Sequence, residues 1–363
     1  MHIGDRRVLP AGTITTKRLV LRPLTGQDAA NPTVQGWHTD PAGYALMYED
    51  AYPDALTAER HLRAWAGRWQ THGLGYWIAE YDGRAIGIGG VDPLSDRGIE
   101  YLNLFYRLDP TVRGRGFARE LTAAATVFAA EWAPNRPVIA LVAPRNRPSL
   151  RTARRGGLVD VGGWPGRHDP EGAEPSRLLQ SPVAAVGPIE IGSAAYHCVL
   201  DLWCAVNDSG GAVGFEPGAA RDEVAKVLDA HLADPLATLV RLHAPTAETF
   251  DDVSRTGELL GFGFVVGLRS VAQHRCTLIR VMTSPSRRRI NLGRLLVGAL
   301  HATAREQGRE LVQIAYRGGS GLDIFYGQCG YVETGRVPGG LRFSFGDRDD
   351  VDMARRLDGR PLR

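Results

Sequence analysis

The chain has 363 residues, 44% of them hydrophobic and 23% charged, a globular composition too long for one ordinary domain, so two domains are expected. Its formal net charge of +3, from 43 basic and 40 acidic residues, gives no field strong enough to draw in nucleic acid. No apolar run approaches the ~20 residues of a membrane span, and residues 1–20 lack a signal peptide's apolar core, so a cytoplasmic protein that does not engage membranes is expected.

All but two of the basic residues (Lys17 and Lys226) are arginine. With 44 glycines, this looks like the codon bias of a GC-rich genome rather than a basic binding surface. The cysteines Cys198, Cys204, Cys276 and Cys329 form no CxxC and have no histidine cluster beside them. No metal site is expected, and reduced thiols are the better reading.

In chain order, residues 18–22 alternate as a strand and lead into a polar helical region. Residues 76–81 and 84–89 read as a hairpin around the tight turn Asp82-Gly83. A strand over 99–108 closes at Asp109-Pro110. An Ala-rich helix covers 119–132, a buried strand 138–143, and a helix 148–155 stopped by Gly156-Gly157. Residues 169–188 are rich in Pro, Gly, Ala and Ser and contain the connection, with the boundary near 186. The second half repeats the grammar: helices near 194–206 and 219–233, then strands near 236–243, 258–269 and 275–283. A helix at 292–307, a strand at 310–316, a short helix at 322–329 and strands at 331–336 and 341–346 complete it. The expected fold is therefore α+β, with two units (1–185 and 186–363) each built on a mixed, mostly antiparallel sheet flanked by helices.

The strongest chemical signal is Arg113-Gly114-Arg115-Gly116-Phe117-Ala118, between a strand ending at Leu108 and a helix. Glycines allow a tight turn and bring several N–H groups close to a ligand. The helix adds its positive N-terminal end, so the position suits a pyrophosphate. Gly87-Ile-Gly89-Gly90 is not a dinucleotide fingerprint, because no helix follows it.

This arrangement resembles the GNAT superfamily of N-acetyltransferases, whose acetyl-CoA loop reads Arg/Gln-x-x-Gly-x-Gly/Ala, here Arg113-x-x-Gly116-x-Ala118. Asn146-Arg-Pro-Ser149 followed by Gly157-Leu158, with the opening Arg18-Leu-Val-Leu-Arg22, is similar to the RimJ/RimL branch, where Gly-Phe usually stands in place of Gly-Leu. The likeness covers residues 13–181. Residues 190–356 resemble the superfamily in a more divergent form. There Arg288-Arg289-Ile-Asn291-Leu292-Gly293 keeps the arginine and the last glycine and puts Asn291 at the middle glycine. Phe325-Tyr326 and Gly330-Tyr331 look like the family's ending.

The resemblance implies acetyl-CoA as acyl donor and a primary amine of a small molecule or peptide as acceptor, in a monomer or a homodimer. The alternative is a non-catalytic acyl-CoA-binding or sensor protein on a duplicated scaffold. In this family a backbone N–H on the strand before the loop polarises the thioester carbonyl, here within 104–108 or 280–283. Glu100 is the nearest acid for deprotonating the ammonium, although it lies early on its strand and Asn103 stands closer to the family position; an exposed strand-start residue is the other reading. In the second unit only His274 could serve. Ser149 and Tyr326 hold the positions that protonate the departing thiolate; each has a plainer reading, a helix-start residue and a core aromatic. Trp37, His38, Trp65, Trp69 and Trp77 fall where the family builds its acceptor site, and Asp349 to Asp352 reads as a solvated turn or a lure for a cationic acceptor.

Overall fold

In the computed structural model, which describes residues 12–96, 98–211, 213–248 and 256–362, the chain divides into two units, Met1–Ser181 and Pro182–Arg363. Residues 1–11, which carry much of the leader-peptide reading, lie outside the described residues. The first unit contains, in order, β1 (Ile14–Thr15), β2 (Val20–Pro23), α1 (Gly26–Ala29), α2 (Pro32–Thr39), α3 (Ala55–His72), β3 (Tyr76–Tyr81), β4 (Arg84–Asp96), β5 (Ile99–Leu108), α4 (Phe117–Trp132), β6 (Val138–Val142), α5 (Arg147–Arg155), β7 (Val159–Gly163) and β8 (Arg177–Gln180). The second contains β9 (Val183–Val186), α6 (Ala194–Asp208), α7 (Arg221–Ala233), β10 (Ala237–Pro245), β11 (Thr256–Gly267), β12 (Arg275–Thr283), α8 (Leu292–Glu306), β13 (Leu311–Arg317), α9 (Leu322–Gln328), β14 (Val332–Leu341) and β15 (Arg348–Arg356).

The first sheet runs β1-β2-β3-β4-β5-β6-β8-β7 and the second β14-β15-β13-β12-β11-β10-β9. In each, a single parallel pair, β5/β6 or β12/β13, interrupts an antiparallel ladder. This is the expected α+β class, with two large mixed sheets flanked by helices. Asp82 and Gly83 both have positive φ (+49° and +72°), so the two-residue turn between β3 and β4 is of the twist-matched kind that hairpins favour. The polar region resolves into α2 and α3, capped by Asn31 and Asp54, whose side chains take the backbone N–H groups of Thr33 and Thr57.

β5 sorts its side chains by alternation. Leu102, Leu104 and Leu108 pack with Phe117, Leu121 and Ala125 of α4. Phe105, on the other face, joins Trp37, Leu62 and Tyr76 from α2, α3 and β3. Two faces of one strand therefore open onto two different cores.

Three expectations are corrected. The unit boundary falls at Ser181/Pro182 rather than near 186, because β9 pairs with β10 in the second sheet. The last hairpin is longer and shifted: Pro338-Gly339-Gly340, a turn signal in sequence, lies within β14 and is absorbed by a break in register between Val337 and Leu341. Asp349 to Asp352 consequently lie in β15 rather than a solvated turn, and Asp349 is paired with Arg336 at 2.7 Å.

Candidate active site

The parallel pairing of β5 with β6 lasts for two residue pairs, Leu102↔Val138 and Asn103↔Ile139. Beyond them β6 pairs with β8 alone, while β5 continues to Leu108 along β4. The Leu102 N–H is turned to the β6 side, where it donates to Pro137 O, and the Asp109 N–H is turned to the β4 side, where it donates to Ile86 O. Strict alternation between them aims the N–H groups of Tyr106 and Leu108 into the gap that β6 leaves. Backbone donors pointed at an opening are what a developing oxyanion needs.

The glycine loop follows directly. Gly114 and Gly116 have φ of +77° and +81°, and Gly116 is the N-cap of α4. A Cβ at Gly114 would meet nothing within 4 Å, and one at Gly116 only Arg18 Nη2 at 3.6 Å. Among the described residues the space above the loop is open, an arrangement that fits a pyrophosphate at a helix start. Arg113, Gly114, Arg115 and Gly116 are exposed, while Leu108 and Phe117 are buried and Ala118 half-buried beneath the loop. Arg18 braces it: Nη1 donates to Arg115 O (2.9 Å), Nε to Glu120 (2.7 Å), and the guanidinium lies 4.4 Å over the Phe117 ring. Burial works against the Glu120 charge, yet hydrogen bonds from Thr16 and Arg18 hold its carboxyl below the ordinary range.

On the far side of the gap, Asn146 caps α5 by accepting the Ser149 N–H (3.2 Å). The Tyr106 hydroxyl donates to Ser149 Oγ at 3.0 Å. Ser149 can therefore pass its own proton onward while Tyr106 supplies the next. Tyr106 was not foreseen; its strand position, two residues before Leu108, is the only signal that could have marked it.

Glu100 is not brought here. It is exposed at the opposite end of β5 and pairs with Arg136 at 2.9 Å. A buried acid on the neighbouring strand is Asp92, 3% exposed and directly across from Asn103 in the β4/β5 ladder. Asn103 Nδ2 donates to the Tyr76 hydroxyl (2.9 Å), and Arg68 Nε approaches Asp92 at 3.4 Å. Burial pushes the Asp92 carboxyl up to about 6, with Arg68 opposing. A carboxylate inside an otherwise apolar strand was its sequence signal. The tryptophans divide between the faces. Trp37 and Trp65 pack around His38 and Phe105, whereas Trp69 and Trp77 belong to the α4-side core.

In the second unit β12 and β13 also part after a short parallel ladder. Arg289 and Asn291 have φ of +64° and +67°, reproducing the turn of Gly114 and Gly116 without glycine. Arg288 is exposed, Leu292 is buried at the start of α8, and a Cβ on Gly293 would stand 3.1 Å from the Phe325 ring. Tyr326 is buried against Tyr316, Phe325 and Tyr331, and burial raises its hydroxyl well above the ordinary value. His274 is exposed at the start of β12, remote from its parting end.

In the first unit a mixed sheet parts beside a glycine loop at a helix start. Residues 18–159 match the model of the acetyltransferase (GNAT) domain family. The chain is 34% identical over 105 residues to the uncharacterized N-acetyltransferase YjgM of Escherichia coli (strain K12), a stretch covering 28% of this chain and 59% of that protein. It is also similar to solved structures of a GnaT-family acetyltransferase from Bordetella pertussis (24% identity, TM-score 0.38, 47% of this chain and 98% of that one) and of the E. coli ribosomal-protein-S18-alanine N-acetyltransferase (16%, 0.35, 48% and 94%). Among the described residues, no helix is long and apolar enough to cross a membrane.

Proposed function

We propose that the chain is an acetyl-CoA-dependent N-acetyltransferase whose chemistry is carried by the first unit. The observation that supports this most is the pair of positive-φ glycines feeding α4 at the end of β5, beside the gap left by β6. Acetyl-CoA would supply the activated acyl group. The Gly114–Gly116 loop and the N-terminus of α4 would hold its pyrophosphate, and the backbone of β5 at Tyr106 or Leu108 would polarise the thioester carbonyl. Ser149, fed by Tyr106, would protonate the leaving thiolate. Asp92 takes the role first sought in Glu100, receiving the ammonium proton on the face of β5 opposite α4.

The acceptor in this reading is a primary amine of a small molecule or a peptide, and the site of action the cytoplasm. The Asn146…Ser149 segment favours a RimJ/RimL-like first unit, and the parted β12/β13 pair favours a divergent GNAT unit in the second half. Gly116→Glu puts a carboxylate and a strained Cβ where phosphate must sit and should abolish tight CoA binding by calorimetry. Unchanged affinity and stoichiometry in this variant would remove the first loop from the donor site. Saturable CoA binding without thiol release on any amine would instead support the binding-protein alternative.

A further inference from the structure

We propose that Arg107 is an anchor for a carboxylate on the acceptor, which makes the first unit an N-acetyltransferase of α-amino acids. This inference rests on the acetyltransferase reading above and names its substrate class.

Arg107 is 6% exposed and lies on the face of β5 opposite α4. Its guanidinium covers the Tyr44 ring at 3.6 Å, and Nη1 donates to Trp37 O at 3.2 Å. The remaining edge is different. Among the described residues, Nε is buried with no hydrogen-bond partner, and Nη2 meets only the Met47 thioether at 3.6 Å. Nε and Nη2 form the edge by which arginine grips a carboxylate with two parallel bonds. The chain shows the usual use of that edge elsewhere: Arg177 donates from Nε (3.1 Å) and Nη2 (2.6 Å) to one oxygen of Asp160. At Arg107 no carboxylate of the described residues stands within ion-pair distance. A buried cation that has spent one N–H on a carbonyl and offers its fork to a thioether, a weak acceptor, carries an unmet desolvation cost.

A second polar group points to the same place. His38 is 1% exposed, and neither ring nitrogen has a hydrogen-bond partner among the described residues. Its ring lies between Tyr52, Trp65 and Phe105 at 5.4 to 6.0 Å. Burial, with Arg107 nearby, holds the imidazole neutral by lowering its pKa to about 3, so it offers one donor and one acceptor without adding charge. An unused fork and an unused imidazole on one aromatic wall suit a polar, anionic ligand. A carboxylate taking the place of the Met47 sulfur would accept from Nε and Nη2 together.

The position of Arg107 limits the ligand's size. It lies between Tyr106 and Leu108, whose N–H groups face the gap, so an acceptor that carries its carboxylate and its amine on one small molecule suits the site. That spacing describes an α-amino acid better than a protein N-terminus, whose carboxylate is many residues away.

The test measures thiol release with the common α-amino acids and, in parallel, their α-carboxamides, using the full chain. The wild type should favour the acids. In both Arg107→Met and Arg107→Lys the acid-to-amide ratio of kcat/KM should fall at least tenfold, mainly through KM for the acid, as expected when a charge-assisted pair is lost. Arg107→Lys keeps the buried charge without the fork, so it covers the case in which Arg107→Met fails to fold. Amides turned over as well as acids by the wild type, or a ratio surviving in a folded variant, would overturn the anchor while leaving the transferase reading intact. If no amine releases thiol, the transferase reading fails. Calorimetry of the same acids on CoA-loaded protein then decides the anchor: acid binding lost in Arg107→Lys supports it, and no acid binding refutes it.

Discussion

Asp92→Asn should make the first unit more stable and less active, in proportions set by pH. Burial pushes the folded carboxyl up to about 6 from an ordinary 3.8, so the folded state resists its ionisation. Below pH 3 both states hold the proton and the charge has no effect on stability. As pH rises through 3.8 to 6 the unfolded chain ionises first and stability is lost, which is the sign for an acid whose folded pKa is raised. At about 1.36 kcal/mol per unit the loss is about 2 kcal/mol at pH 5 and about 3 kcal/mol by pH 8. Asparagine cannot ionise, so the variant should match the wild type near pH 3 and exceed it by roughly those amounts above. Urea unfolding followed by tryptophan fluorescence reads this unit selectively, because six of the seven tryptophans (all but Trp203) lie in it. Activity should move the other way, with turnover of protonated amines falling about a hundredfold or more as the proton acceptor is lost. Parallel stability curves for the two proteins from pH 3 to 8 would show that Asp92 is not desolvated as argued. A gain in stability with full activity would leave it buried but take it out of catalysis.

Three further outcomes follow from the same geometry. Ser149→Ala should lower kcat about ten- to a thousandfold with CoA affinity nearly intact, and Tyr106→Phe should act in the same direction more weakly; steady-state kinetics with calorimetry on each variant checks both. Titration of CoA into the intact chain should show one strong site, lost in Arg113→Ala/Gly116→Glu, and two equal sites would contradict the assignment to the first unit. Glu120→Ala should free Arg18 from the loop and weaken CoA binding several-fold while the fold, followed by circular dichroism, is kept.

Much of the architecture was legible because period and punctuation agree with it. β5 and β12 coincide with the strands read from sequence at residues 99–108 and 275–283, since β-branched and aromatic residues there end at Asp-Pro and Ser-Pro. The loop was legible because Gly114 and Gly116 are where a positive φ is needed. The face proposed for catalysis was not. Asp92 and Asn103 are eleven residues apart in sequence and meet only through the β4/β5 register, and Tyr106 finds Ser149 only across the gap left by β6. Glu100 was preferred on nearness along the chain, but strand polarity places it at the wrong end. The last hairpin was misplaced because Pro338-Gly339-Gly340 carries a turn composition inside a strand.

Backbone shape alone does not make two loops equal as binding sites. Asn291 tolerates the left-handed conformation better than most residues, and Arg289 is held there as well, so the turn before α8 copies the turn before α4. The difference lies in what projects from it. Gly114 and Gly116 leave the N–H groups bare, whereas Arg289 and Asn291 each put a Cβ on the same backbone, within reach of any phosphate. A tenfold loss of affinity needs only ~1.4 kcal/mol, less than a charge-assisted hydrogen bond can be worth. The strand before the second loop differs too, with Arg280 and Val281 bulged opposite Gly263 and Arg280 at φ +54°. The two buried carboxylates among the described residues, Asp92 and Glu131, both belong to the first unit. The second unit has the same turn and a buried Tyr326, without a buried acid among its described residues to receive an amine's proton. If the strong site found by titration survived Gly116→Glu and was lost in Arg288→Ala, this ordering would be reversed, and the proton donor to look for would be Tyr326.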